Sequence, residues 1–122
     1  ALESDALFPF GKSAADTMLP SAKAQLDDVA ARIRKHEQVS AIEVVGHTDR
    51  LGPESLNGPL SLARANTVRD YLIAHGLDGS IIQAKGVGAS QPRTNCADRE
   101  GRALIACLQP DRYVSITVQG RK

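Results

Sequence analysis

The feature that most limits the fold is a change of hydrophobic period along the chain. Ala22, Leu26, Val29, Ala30 and Ile33 recur at three- and four-residue steps, with Lys23, Asp27, Asp28, Arg32 and Lys35 between them. That spacing predicts an amphipathic helix from Pro20, which suits a first helical turn, to near His36. The next apolar run, Ala41 to Val45, is β-branched and alternating, which predicts a strand. A helical period returns from Ser61 to about His75, where Gly76 stops it. Strand patterns return at Ile81 to Val87 and at Tyr113 to Val118, the latter with Val114, Ile116 and Val118 on one face. Strands joined by helices require crossover connections, and both helices must cover a sheet face.

The remaining segments complete the order. Asp5 to Phe10 reads as a short first strand with Leu7, Phe8 and Phe10 as burial candidates; Pro9, which cannot donate to a ladder, demotes it to an edge. A loop rich in Gly, Pro and Asn spans Gly46 to Pro59. After the GVGASQP turn, a polar loop leads to a short helix around Gly101 to Leu108, broken by Pro110. The expectation is an α+β two-layer sandwich, βαβαβ, a short helical insert, then β, with a mixed four-stranded sheet covered by helices. At 122 residues the chain is read as one domain, 1–122, with no internal repeat.

Charge and composition exclude several functions. Fifteen basic against fourteen acidic residues, with two Phe and two Tyr, leave neither a phosphate-neutralising patch nor a base-stacking platform, so nucleic acid is not an expected partner. No apolar run approaches the roughly 20 residues of a membrane span. His36, His47 and His75 lack chelating spacing, so no metal is expected. Gly86-Val87-Gly88 lacks the third glycine of a dinucleotide fingerprint and reads as a strand-ending turn, and no cofactor is implied. Ser55, Ser61, His47 and Asp49 show no nucleophile elbow, and no catalytic residue is expected. His47 reads as a turn residue with ordinary solvent contacts. Cys96 and Cys107 are too few for zinc and leave two readings open, free buried thiols or a disulfide.

The informative stretch is Gly46 to Ala65. Projected at the helical period, Leu60, Arg64, Val68, Tyr71, Leu72 and His75 share one face, which puts a guanidinium on the inward stripe. A cation there needs a carboxylate, since leaving it unpaired out of water costs several kcal/mol. Asp49, at the tip of the preceding strand, can supply it as an internal ion pair. Alternatively the two residues stand apart and hold a zwitterion, Asp49 taking an ammonium and Arg64 a carboxylate.

Gly46-His47-Thr48-Asp49, Leu56-Asn57 and Leu60-Ser61-Leu62-Ala63-Arg64-Ala65 resemble the signature of OmpA-like peptidoglycan-binding domains. Phe8-Pro9-Phe10, Gly86-Val87-Gly88 with Pro92, and Asp111-Arg112-Tyr113-Val114 extend the resemblance over nearly the whole chain. The Cys96–Cys107 insert is similar to the outer-membrane-protein branch of that family more than to its lipoproteins or motor-stator proteins. The resemblance implies non-catalytic binding of peptidoglycan through the diaminopimelate residue of the stem peptide. Asp49 would meet the ammonium and Arg64 the carboxylate; Thr48, Asn57, Leu60, Phe10 and Gly11 would supply hydrogen bonds and wall. This favours the ligand-holding reading over the internal ion pair, which remains the basis of an alternative, a periplasmic protein–protein module. Glycine at position 11 and proline at position 9 depart from the family pattern and weaken that wall. Arg112 is expected to be structural, pairing near the base of the last strand. The resemblance also favours a Cys96–Cys107 disulfide, worth about 3 kcal/mol by chain entropy, and an oxidising compartment. It implies a module excised from a longer protein, located in the periplasm of a Gram-negative bacterium and tethered to its outer membrane.

Overall fold

A computed structural model describes residues 2–3, 8, 13, 18–35, 39–97 and 100–120. It shows an α+β fold in which two long helices cover one face of a mixed sheet. In chain order the strands are β1 (Leu2–Glu3), β2 (Val39–His47), β3 (Ile82–Gly86) and β4 (Tyr113–Gly120), and the helices are α1 (Pro20–Arg34), α2 (Glu54–Ala74) and α3 (Gly101–Cys107). The strand order is β1-β4-β2-β3. β2 runs parallel to β3 and antiparallel to β4.

Among the described residues, only three strands of more than two residues form this sheet, not the four expected. The edge beside β4 is supplied by the two-residue β1, paired as Leu2 with Val114 and Glu3 with Tyr113. Most of the predicted first strand, Asp5 to Phe10, lies outside the described residues; Phe8 is described, and it sits buried in a bend.

Both helices obey their period. α1 starts at Pro20, whose missing N–H costs nothing in the first turn, and buries Ala22, Leu26, Ala30 and Ile33. Its solvent side carries an Asp28–Arg32 pair one turn apart, at 3.0 Å. α2 ends in a Schellman motif: Leu77 N–H donates to Leu72 carbonyl at 3.2 Å and Gly76 N–H to Ile73 carbonyl at 3.1 Å. Gly76 there has φ +100°, a conformation that only glycine adopts at little cost.

The start of α2 departs from expectation. The segment read as loop is helical from Glu54, seven residues before Ser61, and carries Pro59 inside. Glu54 favours the N-terminus of the helix dipole, and Pro59 falls early enough to forfeit only one bond of a long helix. Ser61 is therefore not a cap. It is fully buried, donates to Gly58 carbonyl at 2.7 Å and accepts from Gly88 N–H at 3.0 Å. The buried stripe runs through Ser61, Arg64, Ala65, Val68 and Leu72, while Leu60 and Tyr71 are half-buried and His75 lies exposed beyond the helix.

One core results. Leu26 and Ala30 of α1, Val68 and Leu72 of α2, and Ile42, Val44, Ile82 and Val114 of the sheet pack together with Phe8. Burying side chains such as Leu26, Ile42 and Leu72 stabilises by about 1.5–3 kcal/mol each. α2 approaches the sheet most closely over a glycine pair, Gly46 and Gly86, which face each other in parallel register. A Cβ on Gly46 would stand 2.0 Å from Ser61 carbonyl oxygen, and one on Gly86 would stand 2.3 Å from Leu62 nitrogen. The burial of β4 fades along its length: Val114 is buried, Ile116 half-buried and Val118 exposed, so the predicted apolar face holds only near the start of the strand.

Candidate functional site

β2 runs out of the sheet at His47 and delivers Thr48 and Asp49 to its end. Thr48 is fixed there by its N–H, which donates to Gly88 carbonyl at 2.9 Å, while Val87 N–H donates to Gly46 carbonyl at 3.1 Å. Gly86-Val87-Gly88 is thus more than a strand-ending turn: it clamps the backbone that carries Asp49. Gly88 has φ +55°, and a Cβ on it would stand 2.6 Å from a Glu54 carboxylate oxygen.

The Asp49 carboxylate is mostly buried and held from two sides. Oδ1 accepts from Leu51 N–H at 2.9 Å, closing a local turn. Oδ2 accepts from Arg112 Nη1 at 2.7 Å, and the two side chains are 12% and 14% exposed. The ion pair of Asp49 is therefore with Arg112, not with Arg64. A carboxylate has about four lone-pair directions, so these two bonds leave acceptor capacity for a further donor. Arg112, read from sequence as pairing at the base of the last strand, belongs to this site; the Asp111-Arg112-Tyr113-Val114 motif was the signal.

Arg64 projects from the buried face of α2, with the residue only 5% exposed and its guanidinium 5.6 Å over the Phe8 ring. Side chains on a helix lean toward its N-terminus, which carries Arg64 back toward the end of β2. Asn57, one turn before Ser61, donates through Nδ2 to Leu51 carbonyl at 2.8 Å and at longer range to Asp49 and Gly52 carbonyls. It folds the 49–52 loop onto the first turns of α2. Thr48 Oγ1 is buried without a hydrogen-bond partner, and Leu60 is half-buried. Phe10 and Gly11, expected to form the wall, lie outside the described residues, as does Pro9.

His47 is not a solvated turn residue. It is the last residue of β2, 3% exposed, and stacks on its cross-strand partner Tyr113 with ring centres 3.7 Å apart and planes 10° from parallel. Arg93 lies over the other side of Tyr113, 3.5 Å from the ring centre. Burial, and secondarily the Arg93 charge, hold the His47 pKa below its ordinary value of 6.5. Asp111 anchors this outer layer, accepting from Arg93 N–H, Thr94 N–H and Thr94 Oγ1 at 2.6, 2.9 and 2.8 Å. Cys96 and Cys107 are joined in a disulfide. A separate groove of about 420 Å³, lined in part by Ala41, Gln83, Thr117 and Gln119, opens at the other end of the strands and contains none of the predicted binding residues. Among the described residues, no helix is long and apolar enough to cross a membrane.

The family model for the OmpA family matches residues 7–106. Outer membrane protein A of Escherichia coli O157:H7 is 41% identical over 125 residues, covering 99% of this chain and 35% of that protein. The chain thus spans about a third of the length of such relatives. Among solved structures, the cell wall anchor of the T6SS from Pseudomonas aeruginosa superposes with a TM-score of 0.73 at 28% identity, covering 98% of this chain and 78% of that one. The peptidoglycan-associated lipoprotein from Burkholderia pseudomallei has the same fold, with a TM-score of 0.74 at 23% identity over 93% of this chain and 88% of that one.

Proposed function

We propose that this chain, which belongs to the OmpA family, is a non-catalytic module that holds peptidoglycan through the diaminopimelate residue of its stem peptide. The observation that carries the reading is the Asp49 carboxylate: a charge fixed by Leu51 N–H and Arg112 at the open end of the central strand. A preset carboxylate suits an ammonium group, and the planar fork of Arg64 suits a carboxylate bidentately. Diaminopimelate presents both on one carbon. Thr48, Asn57, Leu60, Phe10 and Gly11 complete the proposed pocket. Similarity to a cell wall anchor and to an outer membrane protein supports the wall as the partner and the periplasm as the compartment. Residues 1–122 act in this reading as one module of a longer protein whose other part tethers it to the outer membrane. Modest affinity per site suffices, because a polymer offers many stem peptides and raises the effective concentration.

The test is an amide NMR titration with a diaminopimelate-containing stem peptide on wild type, Asp49→Ala and Arg64→Ala. Saturable shifts at Thr48, Asp49 and Arg64 that disappear in both folded variants support the clamp. Arg64→Lys weakens binding, because a point charge does not reproduce the fork. Sedimentation with a lysine-type wall, which lacks the second carboxylate, gives weaker binding; equal binding to both walls counts against Arg64 as the selector. The Asp49–Arg112 pair also supports a second reading, a protein-interaction module in which Asp49 is an internal anchor. That reading gains if wild type ignores the peptide.

A further inference from the structure

Two hydrogen bonds lead from the Asp49 region into the disulfide-closed segment. Arg112 Nη1, which pairs with Asp49 Oδ2, also donates to the backbone carbonyl of Ile105 at 3.1 Å. Arg50, the residue after Asp49, donates through Nη2 to the carbonyl of Cys96 at 3.4 Å. Ile105 lies in α3, two residues before Cys107, and Cys96 is the other half of the disulfide. Each half-cystine segment is therefore an acceptor for a cation that contacts or adjoins Asp49.

Among the described residues, few contacts hold α3. It has seven residues, none of them fully buried, and helices shorter than about 12 residues are marginal in water. Its Ile105 is 52% exposed. The covalent link at Cys107, the buried Leu108 that caps the helix and the 3₁₀ turn Gln109–Asp111 that follows help to fix its position.

We infer that the Cys96–Cys107 disulfide is a positioning element of the ligand site, acting on Asp49 through Arg112 and Arg50. Closed, it keeps the Ile105 carbonyl in place as an acceptor for Arg112 beside Asp49, so the guanidinium holds the Asp49 carboxylate in one orientation. Opened, α3 loses its tether, Arg112 loses that acceptor, and Asp49 samples orientations that do not meet an ammonium. Opening is a two-electron step: a dithiol reductant gives two electrons and two protons to the S–S bond, yielding two thiols and a cyclic disulfide of the reductant. The inference rests on Asp49 as the ammonium partner.

The experiment compares three forms in titration with the diaminopimelate stem peptide: oxidised wild type, dithiol-reduced wild type, and Cys96→Ser/Cys107→Ser. The expected result is affinity about three- to tenfold lower in both opened forms, the scale of one weakened charge-assisted hydrogen bond. Amide shifts of Asp49, Leu51 and Ile105 move on opening while those of Ile42, Val44 and Leu72 stay, and Arg112 side-chain N–H exchange with water accelerates. Equal affinity in the oxidised and opened forms overturns the inference and leaves the Asp49 reading intact. Absence of binding by oxidised wild type overturns both. If opening unfolds the domain, Arg50→Met with the disulfide intact decides, measured against Lys85→Met, which removes a cation paired with Glu43 on the sheet. A loss of about twofold or more confined to Arg50→Met supports the link, and equal affinities overturn it.

Discussion

Gly46→Ala is the substitution whose consequence the structure fixes most sharply. Its Cβ would stand 2.0 Å from the Ser61 carbonyl oxygen and 2.8 Å from the carbonyl carbon. Both are backbone atoms of α2, so no side-chain rotation relieves the clash. Restoring van der Waals separation requires the helix and β2 to part by on the order of 1 Å. Overpacking of this kind costs about 1–3 kcal/mol. Lifting α2 also stretches the 3.0 Å bond from Gly88 N–H to Ser61 Oγ, worth about 1 kcal/mol more. The expected loss is therefore about 3 kcal/mol out of the 5–15 kcal/mol typical of a domain. The melting midpoint should fall by roughly 10–20 °C.

Urea unfolding followed by circular dichroism measures the loss, with Gly58→Ala as the contrast. At Gly58 a Cβ meets only the end of the Glu54 side chain, 3.0 Å away, and alanine gains about 0.5–1 kcal/mol of helix propensity. Gly58→Ala should be neutral or stabilising. If Gly46→Ala unfolds within about 0.5 kcal/mol of wild type at an unchanged m-value, the close seat of α2 on the glycine pair is not a stability determinant and the reasoning fails.

Other outcomes are equally definite. Arg112→Ala strands a mostly buried carboxylate and should cost about 2–3 kcal/mol; a double-mutant cycle with Asp49→Ala should give a coupling of about 1–3 kcal/mol, and near-additivity would dissolve the pair. His47 bears on pH. Its folded pKa lies below 6.5, so below that pH the unfolded chain binds a proton that the folded one refuses, and stability falls as pH drops from 6.5 toward the folded value. His47→Phe keeps a ring against Tyr113 but cannot titrate, so its stability curve should be flatter over that window. Parallel curves for the two proteins would rule out His47 as the source.

The sequence by itself determined the order of elements from α1 onward and much of the core. Period and β-branching located α1, β2, β3 and β4 to within a few residues, because most of their apolar stripe is buried where local spacing says it must be, β4 doing so only near its start. Asp49 and Arg64 were legible from strand position and helix phase, whereas Thr48 and Asn57 entered only through the family resemblance, since the 46–59 stretch reads locally as loop. The tertiary structure decided what a one-dimensional pattern does not encode. Pro59 and Gly58 read locally as loop, yet packing of α2 across the sheet extends the helix back to Glu54. Ser61 read as a cap, yet it is buried where the helix meets the glycine pair, a contact between residues 15 and 25 positions apart that no local propensity reports. His47 read as a solvated turn residue, but antiparallel register with β4 puts Tyr113 beside it. The partner of Asp49 was settled last and by distance alone: Arg112, 63 positions on, arrives through the pairing of β4 with β2. Charge complementarity in the sequence called for a carboxylate near Arg64 and offered Asp49, and only sheet topology shows Asp49 paired with Arg112.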